Sequence, residues 1–271
     1  MKDLSTLTRL VCQVAREAGT YIRKERASFS TDCVERKHAH DYVSYVDKTS
    51  EQLIVSRLRQ LLPDATFLTE EGTAGLSADN PSSHCWVIDP LDGTTNFIHG
   101  YAPYAVSIAL VSGTDILLGV VYEICADECY YAWQGGGAHR ETTDEAGNLK
   151  DELLHVSTHP VTDALLCLQL PYNSDAYKPV IRRLIDHFYG RCASIRMIGS
   201  AAMALCYVAC GRLDGYVERH LGQWDFMAGA LIVSEARGRV TTFSGTPTLV
   251  GGDSVIASNG IVHDELMEEI S

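Results

Sequence analysis

Residues 86–97 read Trp-Val-Ile-Asp-Pro-Leu-Asp-Gly-Thr-Thr-Asn-Phe. The apolar run at the start predicts a short buried strand that delivers Asp89 to its carboxyl end, and Pro90 stiffens the turn that leads to Asp92. The next three residues, Gly93–Thr95, have small side chains and free backbone N–H groups at what reads as the start of a helix. A helix N-terminus favours an anion because its first N–H groups are unpaired. The stretch therefore predicts two carboxylates beside an anion site.

Two carboxylates beside an anion site would repel each other and the anion, and divalent cations between them remove both repulsions. Mg²⁺ takes oxygen ligands and commonly shares one or two carboxylates with a substrate phosphate. The alternative is purely structural, with Asp92 or Thr94 as a helix cap. A cap accounts for one aspartate but not for both, nor for the Gly-Thr-Thr sequence that follows. The stretch therefore indicates a magnesium site that binds a phosphate group.

Acidic residues also stand at three other boundaries along the chain. The pair Glu70-Glu71 follows a short apolar run, Asp225 begins an apolar helical stretch, and Asp47 lies just before the predicted second helix. Taken singly, these positions fit an exposed turn, a first-turn acid and a helix cap. Each lies where a strand or loop meets a helix or turn, however, and α/β proteins assemble their sites at such places. We therefore expect these carboxylates to converge on the two aspartates of residues 86–97.

The composition argues against several classes of protein. The chain has 271 residues, with 22 Lys and Arg against 35 Asp and Glu, and its formal charge of −13 argues against a nucleic-acid-binding surface. No run approaches the roughly 20 apolar residues of a membrane span, and the N-terminal stretch is amphipathic rather than a secretory signal. The nine cysteines are odd in number and scattered, which is typical of reduced thiols. We therefore expect a cytoplasmic protein that binds neither nucleic acid nor membranes.

The periodicity of apolar residues predicts one domain whose two halves differ in their pattern of secondary structure. Helical spacing predicts a first helix over 7–22 and a second from about Thr49 to Leu62, with a polar hairpin or mobile loop at 37–46 between them. The chain then reads mainly as consecutive strands, whereas strands and helices alternate in the second half. This pattern predicts an α/β layered sandwich over 1–271, with an α+β N-terminal half at about 1–150 and an α/β C-terminal half at about 151–271.

Four motifs carry a resemblance to a known family. The central motif is DPLDGTTNF at 89–97, and the others are EEG at 70–72, GSAAM at 199–203 and WDFMAGALIVSEARG at 224–238. In this order and spacing they resemble the inositol monophosphatase family over nearly the whole chain. The resemblance implies a layered α-β-α-β-α sandwich of the α/β (α+β) class, which that family shares with fructose-1,6-bisphosphatase. It also implies a homodimer and inhibition by Li⁺.

The resemblance implies roles for individual residues. Two or three Mg²⁺ ions would be held by Glu70, Asp89, the main-chain carbonyl of Leu91, Asp92 and Asp225. Catalytic roles fall to Asp47, Glu70 and Thr94, with Thr94, backed by Asp47, orienting and deprotonating the attacking water. The implied substrate contacts are Asp92, Gly93, Thr94, Thr95, Gly199, Ser200, Ala201, Glu218 and Asp225. Lys37 matches a loop position that approaches a further, weaker metal site.

These roles imply that water attacks a phosphate monoester directly and in line, without a covalent enzyme intermediate. The implied substrate is myo-inositol monophosphate or a similar small polyol phosphate. Other enzymes of this fold act on fructose 1,6-bisphosphate, 3′-phosphoadenosine nucleotides or histidinol phosphate, and nucleotide-specific members usually carry Lys where this chain has Thr95. A non-catalytic regulator is disfavoured because all four acidic metal ligands are present. Arg219 and His220 read as a solvated loop beside the substrate mouth, with binding of a second anionic group as the alternative.

Overall fold

The computed structural model describes residues 3–30, 34–38, 41–74, 83–144, 146–170, 175, 177–247 and 249–270, with the backbone alone for 34–38 and 41–43. Its helices are α1 (Leu4–Arg26), α2 (Tyr45–Leu61), α3 (Thr94–His99), α4 (Lys178–Phe188), α5 (Ala201–Ala209), α6 (Gln223–Glu235) and α7 (His263–Ile270). Its strands are β1 (Val34–His38), β2 (Asp41–Ser44), β3 (Thr66–Thr69), β4 (His84–Asp92), β5 (Ala105–Ser112), β6 (Asp115–Glu123), β7 (Glu128–Trp133), β8 (Ala138–Thr143), β9 (Leu149–Leu153), β10 (Leu165–Leu168), β11 (Ser194–Arg196), β12 (Gly215–Arg219), β13 (Arg239–Thr241) and β14 (Ser254–Ser258).

A seven-stranded sheet occupies the first half of the chain. Its strands follow chain order from β3 to β9; β3 is parallel to β4, and every later pair is antiparallel. The central strands are buried along most of their length because both faces of the sheet are covered. Strand β9 is exposed throughout, which is why its sequence carries no strand signal. The predicted hairpin at 37–46 is confirmed by the antiparallel pair β1–β2.

A five-stranded sheet occupies the second half, in the order β11-β10-β12-β14-β13. Strand β10 runs parallel to both neighbours, and β14 runs antiparallel to β12 and β13. The helices of this half connect the strands, so the predicted alternation of strands and helices is confirmed. The parallel pair β10–β12 brings two carboxyl-terminal strand ends to one edge, where open α/β sheets place their ligands.

Three apolar cores separate five layers. In the first core, helices α1 and α2 together pack against one face of the seven-stranded sheet. The second contains α5 and α6, which lie between the other face of that sheet and the inner face of the five-stranded sheet. The third lies between the outer face of the five-stranded sheet and helices α4 and α7. The order α-β-α-β-α confirms the predicted layered sandwich, and the central core draws on both halves of the chain, which favours the single-domain organisation.

Helix α2 begins at Tyr45, four residues before the predicted start. Ser44 and Asp47 form a capping box: the Ser44 hydroxyl accepts a hydrogen bond from the Val46 N–H, and the Asp47 carboxylate accepts one from the Ser44 N–H. Such reciprocal caps satisfy the first free N–H groups of a helix. The prediction placed Asp47 before the helix, whereas it is the third residue inside it. This difference matters for the site, because the cap fixes the Asp47 carboxylate.

Helix α6 approaches strand β6 and helix α5 so closely that only glycine fits at one contact with each. A Cβ at Gly119 would lie 2.6 Å from the Ala228 carbonyl oxygen, and a Cβ at Gly229 would lie 2.5 Å from the Leu205 Cβ. Both distances are far shorter than ordinary carbon contacts. The helix is therefore fixed against both strand β6 and helix α5, and Asp225 in its first turn is held in place with it.

None of the helices in the described ranges is both long and apolar enough to cross a membrane.

His263 links α7 to the five-stranded sheet through two hydrogen bonds in the fully buried interior. Its Nδ1 lies 2.9 Å from the Ser258 hydroxyl and its Nε2 lies 3.0 Å from the Thr241 hydroxyl. Burial, assisted by the positive charge of Arg239, lowers the pKa of His263 from 6.5 to about 4. His263 therefore becomes protonated near pH 6.5 in the unfolded chain but only near pH 4 in the folded protein.

We expect the free energy of unfolding to fall by about 3 kcal/mol between pH 7 and pH 4 on account of His263 alone, because each pKa unit corresponds to about 1.4 kcal/mol. Urea denaturation of the wild type and of His263→Gln at pH 7 and pH 4.5 measures this share. The variant should be less stable at pH 7, and its stability should fall less on acidification. Equal losses in the two proteins would contradict the prediction.

Candidate active site

A bulge in strand β4 brings Asp89 and Asp92 to the same side of the sheet. Residues three apart in a regular strand point to opposite faces. Here Asp89 pairs with Ser107 and Asp92 pairs with Ala105, so an advance of three residues along β4 matches an advance of two along β5. The extra residue in β4 reverses the alternation of side chains between the two faces of the sheet. The sequence predicted a turn after Asp89; the structure instead continues the strand to Asp92. Pro90 lies inside the bulge and donates no N–H to the ladder, which suits it to this position.

Three carboxylates from two elements, strand β4 and helix α6, meet beside this bulge. Oxygen atoms of Asp89, Asp92 and Asp225 lie within 4.8 Å of one another. Asp89 Oδ1 accepts a hydrogen bond of 2.9 Å from the Leu91 N–H, and Asp225 Oδ2 accepts one of 2.7 Å from the Gly222 N–H at the start of α6. The predicted convergence of Asp225 on the aspartate pair is thus present in the structure.

Asp92 is additionally held by the first turn of α5. Its carboxylate accepts hydrogen bonds from the Ser200 hydroxyl and from two backbone N–H groups, those of Ala201 at 3.3 Å and Ala202 at 3.0 Å. Helix N-termini stabilise negative charge in this way. These bonds join the GSAAM motif of the second half of the chain to the DPLDGTTNF motif of the first.

Within the described ranges, no cationic side chain forms an ion pair with the cluster. Burial raises the pKa of all three aspartates, that of Asp92 to about 6, and the nearby Glu70 carboxylate raises those of Asp89 and Asp225 further. None of the ion pairs between described residues involves Asp89, Asp92 or Asp225. Clustered carboxylates of this kind become favourable when a cation lies between them. An all-oxygen donor set at this spacing fits a hard divalent cation such as Mg²⁺.

Glu70 lines the same cavity as these three aspartates. The set of carboxylate oxygens that lie within 4.8 Å of one another does not include it. Its N–H donates a hydrogen bond of 3.1 Å to the Ile88 carbonyl, which extends the β3–β4 pairing by one residue. The Leu91 carbonyl, also predicted as a metal ligand, lines the cavity and accepts a hydrogen bond of 3.0 Å from the Thr94 hydroxyl.

Thr94 and Asp47 form a pair behind the cluster. The Thr94 hydroxyl at the start of α3 lies 3.1 Å from Asp47 Oδ1 and 3.0 Å from the Leu91 carbonyl. It has a single proton to donate and keeps an oxygen lone pair that can accept a proton from a water molecule. Burial raises the pKa of Asp47, and hydrogen bonds from Ser44 and Thr94 offset part of that rise. The arrangement can orient a water and receive its proton.

Gly93, Thr94 and Thr95 form one wall of the cavity at the start of α3. Gly93 adopts φ 88°, a left-handed conformation that favours glycine, and a Cβ there would lie 3.2 Å from the Gly199 carbonyl oxygen. The first N–H groups of a helix have no partner within the helix. The cavity that holds the carboxylate cluster therefore also contains backbone hydrogen-bond donors of the kind an oxyanion requires.

The cavity is also lined by Gly199, Ser200, Ala201 and Glu218. The Tyr216 hydroxyl donates to one oxygen of Glu218, and burial raises the pKa of this carboxyl to about 8. A carboxyl group in this state can both donate to and accept from hydroxyl groups of a ligand.

Several residues that line the cavity are not among those predicted from the sequence. They are Asn96, Gln169, Leu170, Leu221, Gly222 and Trp224. Gln169 Oε1 accepts a hydrogen bond of 2.9 Å from the Ile198 N–H, which fixes the amide at the carboxyl end of β10. A signal was available, since Gln169 directly follows a strand whose parallel neighbour carries Glu218.

Arg219 and His220 have different surroundings, although the sequence treats them as a pair. Arg219 lies over the Phe243 ring at 5.9 Å and does not line the cavity. His220 lines the cavity with φ 65°, and its Nδ1 is 3.7 Å from Asp253. Any binding of a second anionic group would therefore fall to His220.

A single cavity of about 340 Å³ gathers every predicted site residue except Asp47, which lies behind Thr94. The Lys37 side chain is outside the part of the chain that the structure describes.

Comparison with known proteins places this site in a family. The family model described as "Inositol monophosphatase family" matches residues 3–271. The inositol-1-monophosphatase of Mesorhizobium japonicum is 33% identical over 267 residues, 98% of this chain and 96% of that protein. The Nus factor SuhB of Pasteurella multocida is 34% identical, with 98% and 96% covered. The crystal structure of the extragenic suppressor protein SuhB from Bartonella henselae superposes with a TM-score of 0.88 at 32% identity, with 98% of each chain covered.

The family match covers all the motifs that converge on the cavity, and the solved structure has the same layered sandwich. The chain belongs to the inositol monophosphatase family and is a phosphatase of that fold.

Proposed function

We propose that the protein is a Mg²⁺-dependent phosphomonoesterase that hydrolyses myo-inositol monophosphate, or a similar small polyol phosphate, to the polyol and inorganic phosphate. One observation carries the proposal: three clustered carboxylates, none of them ion-paired with a described residue, line the same cavity as Gly93–Thr95 at the start of α3. The pairing of an acidic cluster with an anion-binding wall makes sense if cations and a phosphate group bind together.

Two or three Mg²⁺ ions would be held by Asp89, Asp92 and Asp225, with Glu70 and the Leu91 carbonyl completing the ligand set. When bound, they supply positive charge that neutralises the phosphoryl oxygens and lowers the pKa of water. The protein positions this charge through the β4 bulge and the first turns of α5 and α6.

The protein's own groups prepare the attacking water. Thr94 donates to Asp47 and accepts a hydrogen bond from the water, so that on attack the water proton passes to Thr94 Oγ1 while the Thr94 hydroxyl proton passes to Asp47 Oδ1. The N–H groups of Gly93, Thr94 and Thr95 hold the phosphoryl oxygens, and the leaving polyol then lies in the part of the cavity lined by Glu218 and Gln169, the polyol end. Glu70 lines the same cavity and would orient the water.

The polyol end contains hydrogen-bonding groups suited to hydroxyls. Glu218, Gln169 and the Ser200–Ala201 turn line it, and the carboxyl and amide groups among them can donate hydrogen bonds as well as accept them.

A homodimer remains a prediction from the family resemblance.

The likeness to Nus factor SuhB supports a second candidate, a regulatory protein that acts by binding a partner. The presence of Glu70, Asp89, Asp92 and Asp225 in one cavity favours the phosphatase, because binding alone would not require them. The net charge of −13 argues against nucleic acid as a direct partner.

Phosphate release from a substrate panel tests the proposal. We expect Mg²⁺-dependent release from inositol monophosphates with kcat/KM at least about tenfold above that for fructose 1,6-bisphosphate, 3′-phosphoadenosine nucleotides and histidinol phosphate, which corresponds to about 1.4 kcal/mol of discrimination. EDTA should abolish release and Li⁺ should inhibit it. Preference for another panel member would replace the substrate and keep the chemistry. No release from any member would favour the regulatory protein.

A further inference from the structure

Glu51 is a buried carboxylate outside the cavity, and none of the roles described above involves it. It lies on α2 one helical turn after Asp47 and is fully buried. Burying a carboxylate is unfavourable unless several hydrogen bonds compensate for its lost hydration. An isolated charge at this position therefore needs a structural or functional reason.

Four hydrogen bonds to Glu51 come from the segment that carries Glu70. One carboxylate oxygen accepts from the Thr69 hydroxyl at 2.9 Å, from the Thr73 N–H at 2.6 Å and from the Thr73 hydroxyl at 2.7 Å. The other oxygen accepts from the Glu71 N–H at 2.7 Å. All four donors are neutral, so the segment wraps around the carboxylate much as backbone N–H groups surround a bound anion.

The bonds lie on both sides of Glu70. Thr69 precedes it at the end of β3, and Glu71 and Thr73 follow it, with Gly72 at φ 67° allowing the chain to turn. Glu70, which lies between these residues, lines the cavity. The Glu51 carboxylate thus fixes the backbone from which Glu70 projects.

We propose that Glu51 is a positioning residue: it holds the 69–73 turn so that the Glu70 carboxylate stays beside Asp89 and Asp225. The inference rests on the proposed function, because it assumes that this cluster binds divalent cations. Groups that orient metal ligands through hydrogen bonds commonly change metal affinity by about 10- to 100-fold when they are substituted. Helix α2 then supports the site twice, through Asp47 behind Thr94 and through Glu51 behind Glu70.

Binding of Mn²⁺, a spectroscopic substitute for Mg²⁺, measures the effect without catalysis. In electron paramagnetic resonance titrations we expect Glu51→Gln to raise the Mn²⁺ Kd about tenfold. Glutamine keeps the volume of Glu51 but places an NH₂ group against the N–H donors of the turn. In a Glu70→Gln background the same change should alter the Kd by less than about twofold, because Glu51 acts through Glu70.

Glu123→Gln is the matched control. Glu123 is also buried and accepts hydrogen bonds from the backbone N–H groups of a turn, those of Cys125 and Ala126, but it does not line the cavity. We expect both variants to melt at lower temperature and only Glu51→Gln to lose Mn²⁺ affinity. Thr73→Val, which removes one donor to Glu51, should raise the Kd about threefold and serves if Glu51→Gln does not fold.

An unchanged Kd in folded Glu51→Gln, or in Thr73→Val where Glu51→Gln is unfolded, would overturn the positioning role and leave the proposed function standing. An equal loss of affinity in Glu123→Gln would overturn it as well, since the effect would then follow stability. Absence of Mn²⁺ binding by the wild type would overturn the proposed cation site and this inference with it.

Discussion

The Asp89→Asn variant should lose at least about a thousandfold in kcat while its metal-free form becomes more stable than the wild type. Asparagine keeps the carbonyl oxygen that accepts the 2.9 Å bond from the Leu91 N–H, so the β4 bulge is preserved. It removes one charge from a cation site that contributes several kcal/mol to transition-state stabilisation, and about 4 kcal/mol corresponds to a thousandfold in rate.

The gain in stability follows from the same charge. Burial and the neighbouring carboxylates Glu70, Asp92 and Asp225 raise the pKa of Asp89 well above its ordinary value, so its ionised form destabilises the folded protein at neutral pH. Each pKa unit is worth about 1.4 kcal/mol. We therefore expect the melting temperature of Asp89→Asn in EDTA to exceed that of the wild type by at least about 3 °C.

Asp214→Asn provides the comparison for Asp89→Asn. Asp214 is buried too, but it accepts hydrogen bonds from Ser157, His159 and the Leu165 N–H, away from the cavity. Its substitution should lower the melting temperature and leave kcat within about threefold of the wild type. A kcat near the wild-type value for Asp89→Asn at saturating Mg²⁺ would contradict the cation-site assignment, and a lowered melting temperature in EDTA would contradict the electrostatic argument.

The sequence predicts the composition of this site better than its geometry. The order of motifs is enough to nominate Asp89, Asp92 and Asp225, because each follows a strand or begins a helix. The β4 bulge, by contrast, depends on how three residues of one strand pair with two of its neighbour β5, and nothing within residues 86–97 encodes that register. Without the bulge, Asp89 and Asp92 would point to opposite faces of the sheet.

Glu51 shows the opposite case, a signal present in the sequence but not used. The buried face of α2 includes Asp47, Ile54 and Leu58, and Glu51 shares that face by helical spacing. A charged residue on an apolar face is rarely buried without partners. The partners of Glu51 come from residues 69–73, however, and helical periodicity within α2 cannot reveal which distant segment supplies them.

Thr94→Val should reduce kcat by about 10²- to 10³-fold with a KM within a few-fold of the wild type, which is the usual contribution of a group that receives a proton in the transition state. Valine keeps the shape of threonine but cannot accept the proton of the attacking water or donate to Asp47 Oδ1, which lies 3.1 Å from the hydroxyl. Thr94→Ser, which keeps the hydroxyl, should retain at least about a tenth of the wild-type kcat.

The same substitution at Thr8 separates catalysis from stability. Thr8 is fully buried in α1, and its hydroxyl donates a 2.7 Å hydrogen bond to the Leu4 carbonyl. Thr8→Val and Thr94→Val each remove one hydrogen-bonded hydroxyl, so each should change the free energy of unfolding by about 1–3 kcal/mol at most. Only Thr94→Val should lose activity, because only Thr94 lies between the carboxylate of Asp47 and the cavity in which water meets the phosphate. If steady-state kinetics gave the two valine variants the same kcat, the proton-accepting role of Thr94 would be wrong, and Asp47 would be left as the cap of α2 alone.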